Sequence, residues 1–320
     1  MSSMVKSIAP EVISSPVLVL VGPTAIGKTE LSLNIAERFN CEIISVDSMQ
    51  VYRYMDIGTA KPSELERRGV PHHLIDIIEP DGQYDAAAFR HDALQAIEHI
   101  TELGKIPLLT GGTGLYLKAL VEGLFSFTGK ENSQVRKKLS SRLETEGKDQ
   151  LYHELEEIDT LTASRIHKND TQRLLRALEI YYLTGKPWSV LLQEQGEPPV
   201  QFNRIFQAGL SCDRQVLYYR IAQRSEIMLQ GGLIQEVEKL QDMGYTSNLS
   251  SMQSIGYRHA SNYISGQWDM EETRRLLVRD TRRYAKRQMT WFGKDTSLTW
   301  FDRQDHDNLY QSIDKWLAGE

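Results

Sequence analysis

Apolar residues in this chain come in short unbroken runs separated by longer stretches of helical period. Pro16-Val17-Leu18-Val19-Leu20-Val21 is the first such run. A continuous apolar run that stops at glycine reads as a strand buried on both faces. Cys41-Glu42-Ile43-Ile44-Ser45-Val46, Ile106-Pro107-Leu108-Leu109-Thr110 and Ile205-Phe206-Gln207-Ala208-Gly209-Leu210 read the same way. His73-Leu74-Ile75 is a candidate short strand and Leu298-Thr299-Trp300-Phe301 a candidate edge strand. Between the first two runs, Leu31, Ile35, Ala36 and Phe39 recur at helical spacing. Ala87, Phe89, Leu94, Ile97 and Ile100 do so between 87 and 103, where Gly104 ends the pattern. Strands alternating with helices predict an α/β protein with a parallel sheet core flanked by helices.

From 131 to about 196 the strand-like runs vanish and charged helical segments take over. Helices are expected over 137–146 and 149–155, and Asp170 is placed to cap another that Gly185-Lys186-Pro187 stops. The expected division is a core of 16–128 and 201–320 with a mostly helical inserted domain of 129–200. Arg165, His167, Lys168, Arg173 and Arg176 make the insert locally basic; a solvated face and a grip on a large substrate both fit. Helical stretches follow over 214–224, 226–243 and 271–291, with a terminal one over 310–317. In the helix over 271–291, Leu277, Thr281, Tyr284, Gln288 and Trp291 share one side, and Tyr284 and Trp291 are expected to pack inward. Arg275, Arg279, Arg282 and Lys286 fall opposite, and only Arg275 has an acidic residue four positions away, Glu271. Mutual repulsion along such a face costs stability, and a line of phosphates would offset it.

Composition narrows the setting. A chain of 320 residues, 40% hydrophobic and 25% charged, suits a water-soluble protein with one large core and a smaller appendage. The net charge of -6 argues weakly against a polyanionic partner, but the charge is uneven. Residues 274–287 hold seven basic side chains and one acidic one. The two cysteines form neither a metal pattern nor a disulfide framework, and Cys41 reads as a packed thiol. His72 and His73 are adjacent and point apart, so packing or hydrogen bonding suits them better than metal binding. No signal peptide or membrane span is read, and a cytoplasmic location is expected.

The first strand runs directly into Gly22-Pro23-Thr24-Ala25-Ile26-Gly27-Lys28-Thr29, which opens a helix. This is the context in which a glycine-rich loop cradles phosphates. Gly22 and Gly27 let the backbone N–H groups converge, and the helix start adds its unpaired N–H groups and positive end. Lys28 brings a mobile charge to a phosphate, and the Thr29 hydroxyl is a candidate magnesium ligand. Asp47 closes the second strand, where an open α/β sheet presents residues to its ligand crevice. Gly111-Gly112-Thr113-Gly114 forms a second glycine-rich crossover, suited to close approach of a ligand or of another backbone. Lys61 is a candidate to reach a phosphate, but a lone lysine of this kind is more often a solvated surface residue. Arg220 and Arg224, four apart, share a helix face and suit a pyrophosphate. The loop alone leaves the reaction open between nucleotide hydrolysis, phosphoryl transfer and other uses.

Longer motifs decide among these. Asp47-Ser48-Met49-Gln50-Val51-Tyr52-Arg53, Asp56-Ile57-Gly58-Thr59-Ala60-Lys61-Pro62 and Pro71-His72-His73-Leu74-Ile75-Asp76 stand in the first part of the chain. Gly111-Gly112-Thr113-Gly114-Leu115-Tyr116 and Arg165-Ile166-His167-Lys168-Asn169-Asp170 follow. Ile255-Gly256-Tyr257-Arg258 and Thr281-Arg282-Arg283-Tyr284-Ala285-Lys286-Arg287-Gln288 complete the set. Together they resemble the bacterial tRNA dimethylallyltransferase, or tRNA isopentenyltransferase, family over about 17–292. Tyr54 stands where that family often has glycine, and Arg258 where lysine is common. The zinc-finger tail of eukaryotic relatives has no counterpart among these cysteines and histidines.

The resemblance implies a P-loop NTPase-like core and transfer of a dimethylallyl group from dimethylallyl diphosphate to N6 of adenosine 37 in tRNAs reading codons that begin with U. Diphosphate leaves, and Mg2+ assists. The phosphate loop Gly22, Pro23, Thr24, Ala25, Ile26, Gly27, Lys28 and Thr29, with Arg224, would hold the diphosphate. Asp47 would take the N6 proton, while Lys28, Thr29 and Arg220 would stabilise the charge growing on the leaving group. Asp47 organising magnesium, as in ordinary phosphate-loop enzymes, is the other reading of that carboxylate. Asp47, Ser48, Met49, Gln50, Thr113, Thr171, Gln172, Arg173, Leu174 and Leu175 match family positions that contact nucleic acid. Arg279, Arg282, Arg283 and Lys286 join them as the basic face. A monomer is expected. A small-molecule or nucleotide kinase, a nucleotide-gated RNA-binding protein and prenyl transfer to free adenosine phosphates are the competing readings.

Overall fold

The computed structural model describes residues 11–123, 130–194 and 200–320, the side chains of 130–133 excepted. The chain divides into two compact units: Met1–Leu124 with Val200–Glu320, and Phe125–Pro199. The first ten residues and the junction expected at 128–129 lie outside the described residues.

The first unit opens with β1 (Glu11–Ile13), β2 (Val17–Val21), α1 (Lys28–Phe39), β3 (Cys41–Val46), β4 (His72–His73), α2 (Ala86–Glu102), β5 (Ile106–Gly111) and α3 (Gly114–Glu122). The second unit holds α4 (Lys130–Glu146), α5 (Lys148–Ile158), α6 (Thr160–Arg165), α7 (Thr171–Thr184) and α8 (Trp188–Glu194). The chain then returns through β6 (Val200–Phe202), β7 (Ile205–Ser211), α9 (Arg214–Gln230), α10 (Leu233–Asp242), α11 (Tyr257–Ile264), α12 (Met270–Phe292), β8 (Thr299–Asp302) and α13 (His306–Ala318).

Six strands form a parallel sheet in the order β4-β3-β5-β2-β7-β8. β2 lies between β5 and β7, and its alternation sorts two cores. Val17, Val19 and Val21 pack with Phe89 and Ile97 of α2 and Leu117 and Leu120 of α3. Leu18 and Leu20 pack with Leu31 and Ile35 of α1, Ile221 of α9 and Ile313 of α13. A strand covered on both faces must be apolar at every position, which is why it reads as an unbroken run. The buried polar exceptions nearby include Ser45 and Gln207, and the one charged exception among the described strand residues is Glu42 of β3, 3% exposed. Lys105 at 2.8 Å and His73 at 2.7 Å pair with its carboxylate. Burial alone would raise its pKa; those hydrogen bonds outweigh burial and hold it below the ordinary glutamate range. His73 is therefore a hydrogen-bonding histidine, and Cys41 a buried thiol whose pKa burial pushes up to about 12.

Several expectations change. The helix break placed between 224 and 226 falls instead at Gly231-Gly232, where Gly232 has φ 101°. Lys61 is neither a phosphate ligand nor a surface lysine. Its side chain is 3% exposed and its ammonium meets Tyr52 O, Asp56 and Asp76. Trp291 is 40% exposed rather than packed inward. Arg275 pairs with Glu272 rather than Glu271, and Arg279 and Arg283 both meet Asp280, so the basic face is partly neutralised by its own helix. Tyr54 has φ 64°, a left-handed conformation that favours glycine, at the position where the resemblance expects glycine. β1 and β6 form a separate two-stranded parallel sheet that no sequence pattern suggested.

The second unit has its own core of Leu139, Leu151, Leu155, Ala163, Leu174, Ala177 and Leu178. Asp170 caps α7 through Arg173 N. Asp159, 4% exposed, accepts from Thr162 N, the Thr162 hydroxyl and Ser189 N, tying α6 to the start of α8. Burial acts to raise the Asp159 pKa, but the bonds from Ser189 and Thr162 hold it below the ordinary value. Asp159→Ala leaves two buried N–H groups unpaired, so a loss of about 2 kcal/mol is expected in urea unfolding of the full chain. Because the folded pKa is depressed, the carboxylate's contribution is present above about pH 4 and lost as pH falls below it. The variant should lack that part of the acid sensitivity.

Candidate active site

A cavity of about 890 Å³ opens at the carboxyl ends of the strands in the first unit. One wall is the loop between β2 and α1. Gly27 caps α1 with φ 111°, in the left-handed region, and offers no side-chain cap. The N–H groups of Lys28, Thr29 and Glu30 therefore have no partner within the helix. Distant elements hold the loop in shape. Gln288 of α12 accepts from Thr24 N at 2.8 Å and donates to Gly112 O at 2.9 Å, joining the two glycine-rich turns. A Cβ on Gly112 would lie 2.2 Å from the Gln288 amide nitrogen, so this bridge requires glycine there. Arg220 donates to Ala25 O at 2.7 Å, Arg303 to Ile26 O at 3.1 Å and Arg224 to the Thr24 hydroxyl at 3.2 Å. Lys28 folds back onto Gly22 O and Pro23 O.

Lys28, Arg220, Arg224 and Arg303 thus surround one short loop, and none forms an ion pair among the described residues. Burial and then Arg224 pull the Lys28 ammonium down to about 7, with Asp47 acting the other way. Burial also holds the Arg224 guanidinium below its usual value, and burial with Arg303 does so for Arg220. Such a cluster is costly without an anion, and a ligand carrying several negative oxygens would supply the missing charge.

Asp47 lines the same cavity. Its Oδ1 accepts from Met49 N at 2.8 Å and, weakly, from Gln50 N at 3.4 Å, while Oδ2 accepts no hydrogen bond among the described residues. One oxygen orients the carboxylate and the other can accept a proton. Ser48 N donates to the Thr113 hydroxyl at 3.1 Å, which joins the two strand ends. The Gln50 amide oxygen already accepts from Ser45. The Tyr284 hydroxyl is held well above the usual phenol range by burial and by the Asp47 charge.

The structure brings the phosphate loop, Asp47, Ser48, Met49, Gln50, Arg220, Arg224, Arg279 and Arg283 to one cavity and its loop wall. Arg282 lies apart, its guanidinium over the Tyr218 ring at 5.1 Å, and Lys286 is exposed. Thr171, Gln172, Arg173, Leu174 and Leu175 lie on α7 of the second unit, where Leu174 is a core residue and the others are exposed or half-buried. Thr29 is an exposed residue lining the cavity, and its hydroxyl makes no hydrogen bond among the described residues.

Gln288 stands in a quoted motif with no role assigned to it there, and no motif marks Arg303 or Glu236. Glu236 of α10 accepts from Asp56 N at 3.0 Å, Ile57 N at 2.8 Å and Gly58 N at 3.1 Å, and from the Tyr257 hydroxyl at 2.6 Å. It pins the loop whose Gly58, Thr59, Ala60 and Pro62 form another part of the wall. These contacts leave no local signal, because each joins residues at least 176 positions apart in the chain or, for Tyr257, lying on another helix.

A parallel sheet with a phosphate loop at its switch point, basic side chains around the loop and a carboxylate on the same cavity define a phosphate-loop protein. The comparisons narrow this. The family model for IPP transferase matches residues 50–295. A tRNA dimethylallyltransferase from Desulfotalea psychrophila is 53% identical over 310 residues, covering 97% of this chain and 98% of the relative. One from Acetivibrio thermocellus is 45% identical, covering 94% and 97%. The solved tRNA isopentenylpyrophosphate transferase of Bacillus halodurans superposes with TM-score 0.69 at 41% identity, covering 95% and 96%. A eukaryotic dimethylallyltransferase acting on tRNA gives 0.79 at 28% identity, covering 96% and 80%. The chain belongs to the IPP transferase family.

The depressed Lys28 sets a pH test. Between about 7 and the ordinary lysine value of 10.5, the unfolded chain binds more protons at this position than the folded one. Stability from this group therefore rises with pH across that window. Urea unfolding of Lys28→Met should show a smaller gain between pH 7 and 9 than the parent. Its affinity for inorganic pyrophosphate should fall roughly tenfold or more, since one charge-assisted contact is lost. An unchanged affinity would remove Lys28 from the phosphate site.

Proposed function

We propose that this enzyme transfers the dimethylallyl group of dimethylallyl diphosphate to N6 of adenosine 37 in the anticodon loop of tRNAs reading UNN codons, releasing diphosphate. The observation that carries the reading is the charge arrangement of one cavity: unpaired cations around the phosphate loop, and a carboxylate with one open oxygen beside it. A kinase site would use the loop to pass on a phosphoryl group. Here the loop receives a leaving group.

In this reading the N6 amine attacks C1 of the dimethylallyl group as the C1–O bond to diphosphate breaks. Lys28, Arg220, Arg224 and the N–H groups at the start of α1 hold the diphosphate and stabilise the charge that grows on it. Asp47 accepts a hydrogen bond from the N6 amine and takes its proton as the C–N bond forms. An exocyclic amine is too weak an acid to lose it first. The adenine must leave its stack to reach Asp47, and a loop is cheaper to open than a duplex. Ser48, Met49, Gln50 and Thr113 would receive it, and the second unit with the basic face of α12 would grip the RNA backbone.

Magnesium fits the residues present as a shared ion rather than a caged one. The described residues contain no cluster of three or more His, Cys, Asp or Glu side chains able to hold a metal. The free Thr29 hydroxyl beside a diphosphate site is the donor set that magnesium takes when substrate oxygens and water complete its shell. Thr29 would hold the ion. Bound there, it would supply further neutralisation of the leaving group.

The test is incubation with unmodified tRNA, labelled dimethylallyl diphosphate and magnesium, with parallel reactions containing ATP or AMP. Label should enter tRNA; label in AMP, or transfer of a terminal phosphate, would replace this reading. Asp47→Asn keeps the acceptor for Met49 N and should lose roughly a hundredfold or more in turnover while still binding tRNA. Binding of tRNA should weaken steeply as salt rises, and a flat titration would argue against the backbone grip.

A further inference from the structure

Resting on the reading above, we infer that Trp291 is a stacking platform for an unpaired base next to the extruded adenine, placed at the end of an arginine row that tracks the RNA backbone. Arg279, Arg283, Arg287 and Trp291 stand at successive four-residue steps of α12. The three arginines line the cavity. Four residues of helix rise about 6 Å, close to the step between phosphates on an extended strand. Arg279 and Arg283 share Asp280, whereas Arg287 meets no carboxylate among the described residues and lies over the Tyr284 ring at 5.6 Å. It is the member of the row with its charge free for a phosphate.

Trp291 continues this row beyond the cavity. Its indole edge rests on Gly114, where a Cβ would come within 2.2 Å of Cδ1, so glycine is required for the ring to sit there. The preceding residue, Thr113, accepts from Ser48 N, and Ser48 follows Asp47. The ring is thus held beside the strand ends that carry the proton acceptor, yet 40% of the residue is open to solvent. A core tryptophan would be covered, and a surface one would not need a glycine cut out beneath it. Extruding a base exposes the faces of its neighbours, and an aromatic ring that covers one of them recovers part of the unstacking cost.

The experiment measures binding of an unmodified anticodon stem–loop by the full chain, with Trp291→Leu and Trp291→Phe. Leucine keeps apolar bulk against Gly114 but has no ring; phenylalanine keeps a smaller ring. Trp291→Leu should weaken stem–loop binding roughly tenfold and raise KM for tRNA, as expected for one lost base stack. Trp291→Phe should restore most of the affinity, and pyrophosphate affinity should stay at the parent level in both. In the parent, adding stem–loop should quench tryptophan emission, and Trp291→Phe should lose much of that quenching even though other tryptophans remain. Parent-level binding by Trp291→Leu, equal loss in both variants, or unchanged quenching in Trp291→Phe would each overturn the inference. Failure of the parent to transfer label to tRNA while it still binds the stem–loop would instead count against the proposed reaction.

Discussion

Lys28, Arg220, Arg224 and Arg303 crowd around the loop from Gly22 to Ile26 with no carboxylate paired to them among the described residues, and the first unit holds them there. Withdrawal from water, and then the nearness of like charges, disfavour these cations and hold Lys28, Arg220 and Arg224 below their usual values. The fold meets it through many hydrophobic contacts elsewhere: β2 is covered on both faces, and α1 and α9 each bury an apolar stripe against the sheet. The guanidiniums are not loose. Each spends a hydrogen bond on a loop atom, so the charges and the backbone N–H groups are set in one rigid arrangement before any anion arrives. Preorganisation of this kind is what makes a site complementary to growing negative charge.

α12 ties that socket to the other half of the chemistry. Gln288 bridges the two glycine-rich turns, so the loop between β2 and α1 and the loop that carries Thr113 are fastened to one side chain. The same helix presents Tyr284 toward Asp47 and its arginine row toward the cavity. On the far side, Glu236 fastens the loop from Asp56 to Gly58, and the buried Lys61 fastens the next turn to Asp76. These are anionic and cationic groups used as fasteners for backbone. They are satisfied internally, in contrast to the cations at the phosphate loop.

Much of this was legible in the chain. An unbroken apolar run followed by a glycine loop and a Lys-Thr pair specifies strand, turn and helix start within a few residues, because local sterics and helix-end hydrogen bonding act at short range. Asp47 at a strand end and Arg220 with Arg224 on one helix face follow from the same local periodicities. Lys61 was misread because its two acid partners lie 5 and 15 residues away across turns that periodicity does not describe. Trp291 was placed inward because helical spacing identifies a side of α12 without showing where along that side the covering elements end.

What the amino-acid sequence determined by itself is therefore the set of elements, their α/β order and the chemical type of the phosphate loop, since these depend on contacts between near neighbours. Which arginine meets which carbonyl, the bridge through Gln288, the grip of Glu236 and the exposure of Trp291 were decided only by the tertiary structure. Those contacts join residues far apart in the chain, and their geometry is set by how the sheet and helices pack rather than by any pattern within a single segment.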